Sequence, residues 1–203
     1  MNRTSSPASN DLTTTTTVVD DPMRENDGSE SFRSFDVVIE VSLGSGVKYE
    51  YDASSSRARV DRILSCAMTY PGNYGFVENT LAEDGDCTDV LIVNEQAINT
   101  GAIVRCRAIA VLRMQDEKGR DDKIIAVPVT EVDSRYDTVR DLEDLHKSVL
   151  TRIRHFFEQY KKTDGPHRWS SVGEYGTAED AMETLQHHRD AYLQRALVMV
   201  IDD

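Results

Sequence analysis

From Phe35 onward the apolar residues come in short runs rich in β-branched and aromatic side chains, broken by glycine- and aspartate-rich turns. "FDVVIEVSL" and "VKYEYDA", separated by "GSG", predict two strands. "RARVDRIL", "DVLIVN", "AIVRCRAIAVLRMQD" and "DKIIAVPV" continue the pattern, and "PGNYG", "EDGD", "NTGA" and "EKGRDD" read as the turns between. So many consecutive short strands must remove their edges, which predicts a small closed or partly closed β-barrel. The period then changes. Leu142, Leu145, Val149, Leu150, Ile153, Phe156, Phe157 and Tyr160 recur at steps of three and four, one face of a helix with Asp141 as its N-cap. A second helix is expected from Thr177, where Thr177 and Asp180 form a capping box, to about Leu197. The closing "VMVIDD" reads as a frayed end or as a segment docked on a neighbour.

Residues 1–34 break this pattern: they are rich in Ser, Thr and Asp and almost without large apolar groups. Such a segment buries too little surface to offset the entropy of ordering, so it is expected to be a disordered tail ahead of a single catalytic domain over 35–203. It has no apolar h-region of a secretory signal, and its acidic residues disfavour a transit peptide while its Ser/Thr content leaves an organelle open. The chain of 203 residues carries 36 acidic and 23 basic residues, a formal net charge of -13. That surface repels nucleic-acid phosphates and anionic lipid, so neither is expected as a partner. Three widely spaced cysteines with no C-x-x-C argue against a disulfide framework or structural zinc and for a reducing compartment, the cytoplasm first.

Candidate chemistry sits in "DGDCTDV", which places Asp84, Asp86 and Asp89 beside the apolar run "VLIV". Like charges about 4 Å apart repel by roughly 4 kcal/mol near a surface, so such a cluster splays into water or surrounds a cation. Only oxygen ligands are offered, which selects a hard divalent ion, Mg²⁺ above all, and the spacing is not that of an EF-hand. Glu40 lies inside the apolar "VVIEV", and Glu50 shares a strand side with Lys48. Asp116, Glu117, Asp121 and Asp122 crowd one turn, where Glu117 and Asp122 read as solvated turn residues. Lys48, Arg62, Lys123, Lys161, Tyr70, Tyr74 and Tyr160 lie in or beside ordered elements. Singly each reads as a surface cation or core phenol. Together with the carboxylates they describe a site holding metal ions and a phosphate-rich anion at once.

"VVIEV", "VKYEYD", "VDRI", "MTYPGNYGFVENTL", "DGDCTDVLIV", "GAIVRCRAIAVLRMQDEKGRDDKIIAV" and "HFFEQYKK" follow one another as in the soluble family I inorganic pyrophosphatases. The resemblance runs from about Phe35 to about Trp169. It implies a mainly β fold with α: an OB-like five-stranded barrel with two packed C-terminal helices. It also implies Mg²⁺-dependent hydrolysis of pyrophosphate to two phosphates, with several ions per site and Mn²⁺ or Zn²⁺ as substitutes. Carried over, it makes Asp84, Asp89 and Asp121 ligands of a first metal, Asp89 also of a second, and Asp116 with Asp121 holders of the metal that arrives with substrate. Asp86 becomes the base. Lys48, Arg62, Tyr74, Lys123, Tyr160 and Lys161 grip phosphate, Glu40 and Glu50 face the bound ions and their waters, and Tyr70 and Glu117 stand behind the site. Cys87 and Thr88 replace the family's usual Pro and apolar residue, so Pro's fixed φ is lost. The resemblance implies a homo-oligomer, a hexamer in bacterial members, although Gln159 stands where many of those carry a His near a subunit contact. The alternative is a metal- or phosphate-binding module without turnover; phosphate release with and without Mg²⁺ separates the two.

Overall fold

The computed structural model describes residues 34–52, 55, 57–165 and 167–201. The expected tail therefore lies, but for Ser34, outside the described residues. The strands are β1 (Ser34–Val41), β2 (Val47–Asp52), β3 (Arg57–Ile63), β4 (Asn73–Val77), β5 (Thr88–Ile92), β6 (Ile103–Asp116), β7 (Gly119–Arg120), β8 (Lys123–Pro128) and β9 (Ser170–Gly176). The helices are α1 (Lys147–Gln159) and α2 (Ala178–Ile201).

The expected barrel forms from five strands in the order β1-β4-β5-β8-β6, with β6 returning to pair with β1. Four of these pairings are antiparallel; β5 and β8 run parallel, with Val90 opposite Ile124. Closure removes the edges. β9 extends β6, and β2 with β3 forms a separate hairpin. Both faces of the barrel wall are covered, which is why β8 is buried along its whole length. Phe35, Ile39, Val90, Ile92, Val111 and Ile124 belong to one apolar cluster drawing on all five barrel strands and joined by Ala181 and Leu185 of α2. Val41, Leu91, Ile125, Phe156, Phe157 and Tyr160 belong to the other, in which α1 packs on the sheet.

Three expectations need correction. "PGNYG" is not only a turn: Asn73 to Val77 form β4, between β1 and β5. A Cβ on Gly75 would lie 2.0 Å from the Val38 carbonyl oxygen, so the glycine there serves close strand approach rather than a turn. The first helix begins at Lys147, not after Asp141. Asp141 does cap, but it caps a single 3-10 turn, Leu142–Asp144, in a reciprocal box with Asp144. Leu145 is then extended, at φ -87° and ψ 143°, and His146 Nδ1 caps α1 by accepting from Ser148 N. Leu142 and Leu145 still pack on the α1 cluster, so the period was right and the continuity was not. Third, β9 carries no apolar alternation and was not foreseen. α2 starts as expected: Asp180 N donates to Thr177 Oγ1 at 3.1 Å and Thr177 N to Asp180 Oδ2 at 2.7 Å. It runs past Leu197 and takes in most of "VMVIDD". Among the described residues no helix is long and apolar enough to cross a membrane. All three cysteines are free thiols.

Candidate active site

Side chains alternate along a strand, so Asp89 shares a wall face with Leu91, and Asp121 lies on the same side as Lys123. That face is the one α1 covers. The parallel β5–β8 pairing sets Asp89 beside Lys123, whose Nζ donates to both Asp89 and Asp121. Lys123 is 2% exposed. Burial opposes its charge, yet the two carboxylates outweigh this and hold its pKa well above that of a free lysine. Lys123 Nζ also lies 5.8 Å from the Tyr74 ring centre.

β6 ends at Asp116, and α1 brings Tyr160 and then Lys161 to it. Lys161 Nζ donates to Asp116 Oδ2 at 2.5 Å and lies 5.7 Å over the Tyr160 ring. Burial, the largest single influence, would raise the Asp116 pKa, but the Lys161 bond, the Lys118 N–H and the charges of Lys161 and Lys123 together outweigh it and lower it. Tyr70, Tyr74, Phe156 and Tyr160 form a chain of ring contacts that braces the phenols. Burial pushes all three phenols up, so they remain protonated donors near neutral pH.

Asp84 and Asp86 ride on a loop folded by Ala82 N donating to Asp86 O at 2.8 Å and turned at Gly85, whose φ of +92° suits glycine. Asp86 is exposed and accepts from Lys118 Nζ at 2.8 Å. Glu40 Oε1 accepts from Tyr51 N at 2.9 Å, and burial raises its pKa to about 7. Lys48 pairs with Glu50 at 3.1 Å, as the shared strand side predicted, and Glu50 sits on the exposed rim. Arg62 binds Asp61 at 2.6 Å and Asp164 at 3.0 Å, linking the hairpin to the chain beyond α1. Glu117 lies 3.7 Å from Lys161 and 3.8 Å from Arg168.

Asp122 corrects the sequence reading: it is 7% exposed, not solvated. It points away from Asp121, accepts from Arg113 Nη1 at 2.7 Å and Arg120 Nε at 2.8 Å, and takes Met114 N at 2.9 Å. Lys118, Asp61 and Asp164 were also missed as ion-pair partners. The "DD" pair held the one available signal, since neighbours in an extended chain face opposite ways.

A family model described as inorganic pyrophosphatase matches residues 37–193. The chain belongs to the inorganic pyrophosphatase family. It is 45% identical over 149 residues to the inorganic pyrophosphatase of Campylobacter jejuni, covering 73% of this chain and 86% of that one. The solved pyrophosphatase of Helicobacter pylori superposes with a TM-score of 0.77 at 43% identity, over 79% of this chain and 94% of that one. That of Thermus thermophilus gives 0.76 at 37% identity, over 84% and 98%. This likeness agrees with the OB-like five-stranded barrel.

The donor set of this pyrophosphatase-family site fits hard divalent cations. Asp84, Asp89, Asp116, Asp121 and Glu40 outnumber the two buried ammonium groups, Lys123 and Lys161. Burial raises the pKa of Asp84 and Asp121 as well as Glu40, because desolvation penalises their charged forms; a bound cation would favour those forms. Among the described residues no three such side chains converge on one point, because the lysines draw the carboxylates to themselves.

Proposed function

We propose that the protein hydrolyses inorganic pyrophosphate to two phosphates in the presence of Mg²⁺. The observation that carries this reading is the cluster in which Asp89 of β5, Asp116 of β6 and Asp121, just ahead of β8, pair with Lys123 and Lys161 beside the Tyr74 and Tyr160 rings. Carboxylates alone would repel a diphosphate; the ammonium groups and phenols among them suit its oxygens.

Asp84, Asp89, Asp116 and Asp121 would hold the ions, with Mn²⁺ or Zn²⁺ as substitutes. When bound, such ions act as Lewis acids and lower the pKa of water. Lys123 and Lys161 neutralise phosphate charge, Tyr74 and Tyr160 donate hydrogen bonds, and Lys48 and Arg62 reach in from the hairpin. Asp86 takes the proton of the attacking water on a carboxylate oxygen, and Lys118 steadies the charged form. Tyr70, Glu40, Glu50 and Glu117 shape the surroundings. Water forms a bond to one phosphorus as the bridging P–O bond breaks and the other phosphate leaves, so no covalent enzyme intermediate is needed.

The test is phosphate release from pyrophosphate with and without Mg²⁺. Turnover that depends on the ion supports the reading; tight binding of metal and pyrophosphate without release makes the protein a binding module. The same reading includes a homo-oligomer and a cytoplasmic location, checked by sedimentation and by fractionation.

A further inference from the structure

The loop that carries Asp84 and Asp86 is held at both ends by one residue of α2. Its first residue, Leu81, donates its backbone N–H to the carbonyl of His188 at 2.8 Å. Its last, Thr88, meets His188 Nδ1 through Oγ1 at 2.9 Å. Thr88 is 1% exposed and His188 6%. Thr88 N is taken as well, donating to Thr80 Oγ1 at 2.8 Å, and Thr80 in turn donates to Val77 O at 2.6 Å. Thr88 therefore has a fixed backbone and a fixed side chain, and the next residue is Asp89.

We propose that His188 is a positioning residue: by clamping Leu81 and Thr88 from behind the wall, it sets where Asp84, Asp86 and Asp89 stand. This rests on the pyrophosphatase reading of the cleft. Packing alone would be met by an apolar side chain at 188. A directed bond between two buried polar groups instead fixes one register of the loop, since any other leaves both unpaired. The distance between function and support is large in sequence, 100 residues, and short in space.

The experiment compares wild type, His188→Leu, His188→Asn, Thr88→Val and the Leu/Val double variant. Asn keeps a polar atom near the Nδ1 position, and Thr88→Val is nearly isosteric, so a folded variant remains if Leu disrupts folding. Three quantities are read: Mn²⁺ affinity without substrate by electron paramagnetic resonance, kcat and KM for pyrophosphate, and thermal unfolding. Displaced ligands should weaken Mn²⁺ and lower kcat by about ten- to a hundredfold in His188→Leu and Thr88→Val, with the double variant no worse than the worse single. His188→Asn should restore most of both. Wild-type Mn²⁺ affinity and kcat, measured well below a lowered Tm, would overturn the proposal, as would losses that multiply in the double variant. If wild type releases no phosphate, the pyrophosphatase reading fails instead, and the Mn²⁺ comparison still decides the role of His188.

Discussion

Lys161 Nζ stands 2.5 Å from Asp116 Oδ2, so the second residue beyond α1 is tied to the last residue of β6. The pair joins helix and barrel across the cleft. It sets a buried cation at the end of β6 and favours the ionised form of Asp116 beside it.

Lys161→Gln tests this contact. A charge-assisted bond contributes about 1.5–3 kcal/mol, so KM for pyrophosphate should rise on the order of tenfold or more. Without metal, the variant should also unfold at lower temperature, because Asp116 loses its partner. Steady-state kinetics check the first outcome; an unchanged KM removes Lys161 from the phosphate-gripping set.

Asp89 and Asp86 should respond differently. Asp89 is partly buried against Lys123, whereas Asp86 is exposed on its loop. Asp89→Ala should nearly abolish turnover and weaken cation binding. Asp86→Asn should leave cation affinity mostly intact, lower the rate and alter its pH profile, as loss of a base does. Isothermal titration with Mg²⁺ beside a pH–rate series distinguishes them; a large loss of affinity in Asp86→Asn would make it a ligand.

Ca²⁺ should not support turnover. It is larger than Mg²⁺, binds oxygen in looser geometry and polarises water less. Phosphate release with each ion at saturation provides the check, and comparable rates would defeat the water-activation argument.

Glu40 gives a pH dependence with a definite sign. Its pKa rises from 4.5 to about 7 through burial, so the folded state prefers it protonated. Its contribution is fully present below the unfolded pKa and is lost as pH rises through the folded value, by at most about 3 kcal/mol. Metal-free Glu40→Gln should gain stability over wild type between these values, most at the alkaline end. Urea denaturation of both from pH 4.5 to 8 measures the difference; parallel curves would mean Glu40 is not held neutral.

Much of this molecule was legible before folding. β1, β5, β6 and β8 declared themselves because a strand buried against a core needs runs of β-branched residues, whatever its partner. The start of α2 was legible because a capping box is local: Thr177 and Asp180 satisfy each other's neighbourhood within one turn. The aspartate cluster stood out because like charges at short spacing must splay into water or gather a counter-charge wherever the chain goes.

What required the tertiary structure was every property fixed by a distant partner. Asn73 to Val77 reads as a turn in isolation and is a strand because Val38 lies against Gly75. Leu142 and Leu145 keep helical spacing but not helical backbone, because a capped 3-10 turn ends between them and α1. Asp121 and Asp122 are the same residue in adjacent positions: one meets Lys123 in the cleft, the other Arg113 behind it. Alternation fixed in advance that they differ, but only barrel closure, with β6 pairing both β1 and β8, decided which face is the cleft. The sequence by itself determined the inventory of carboxylates, cations and phenols. Their assembly into one site depended on long-range strand register, and register follows from contacts that no local pattern contains.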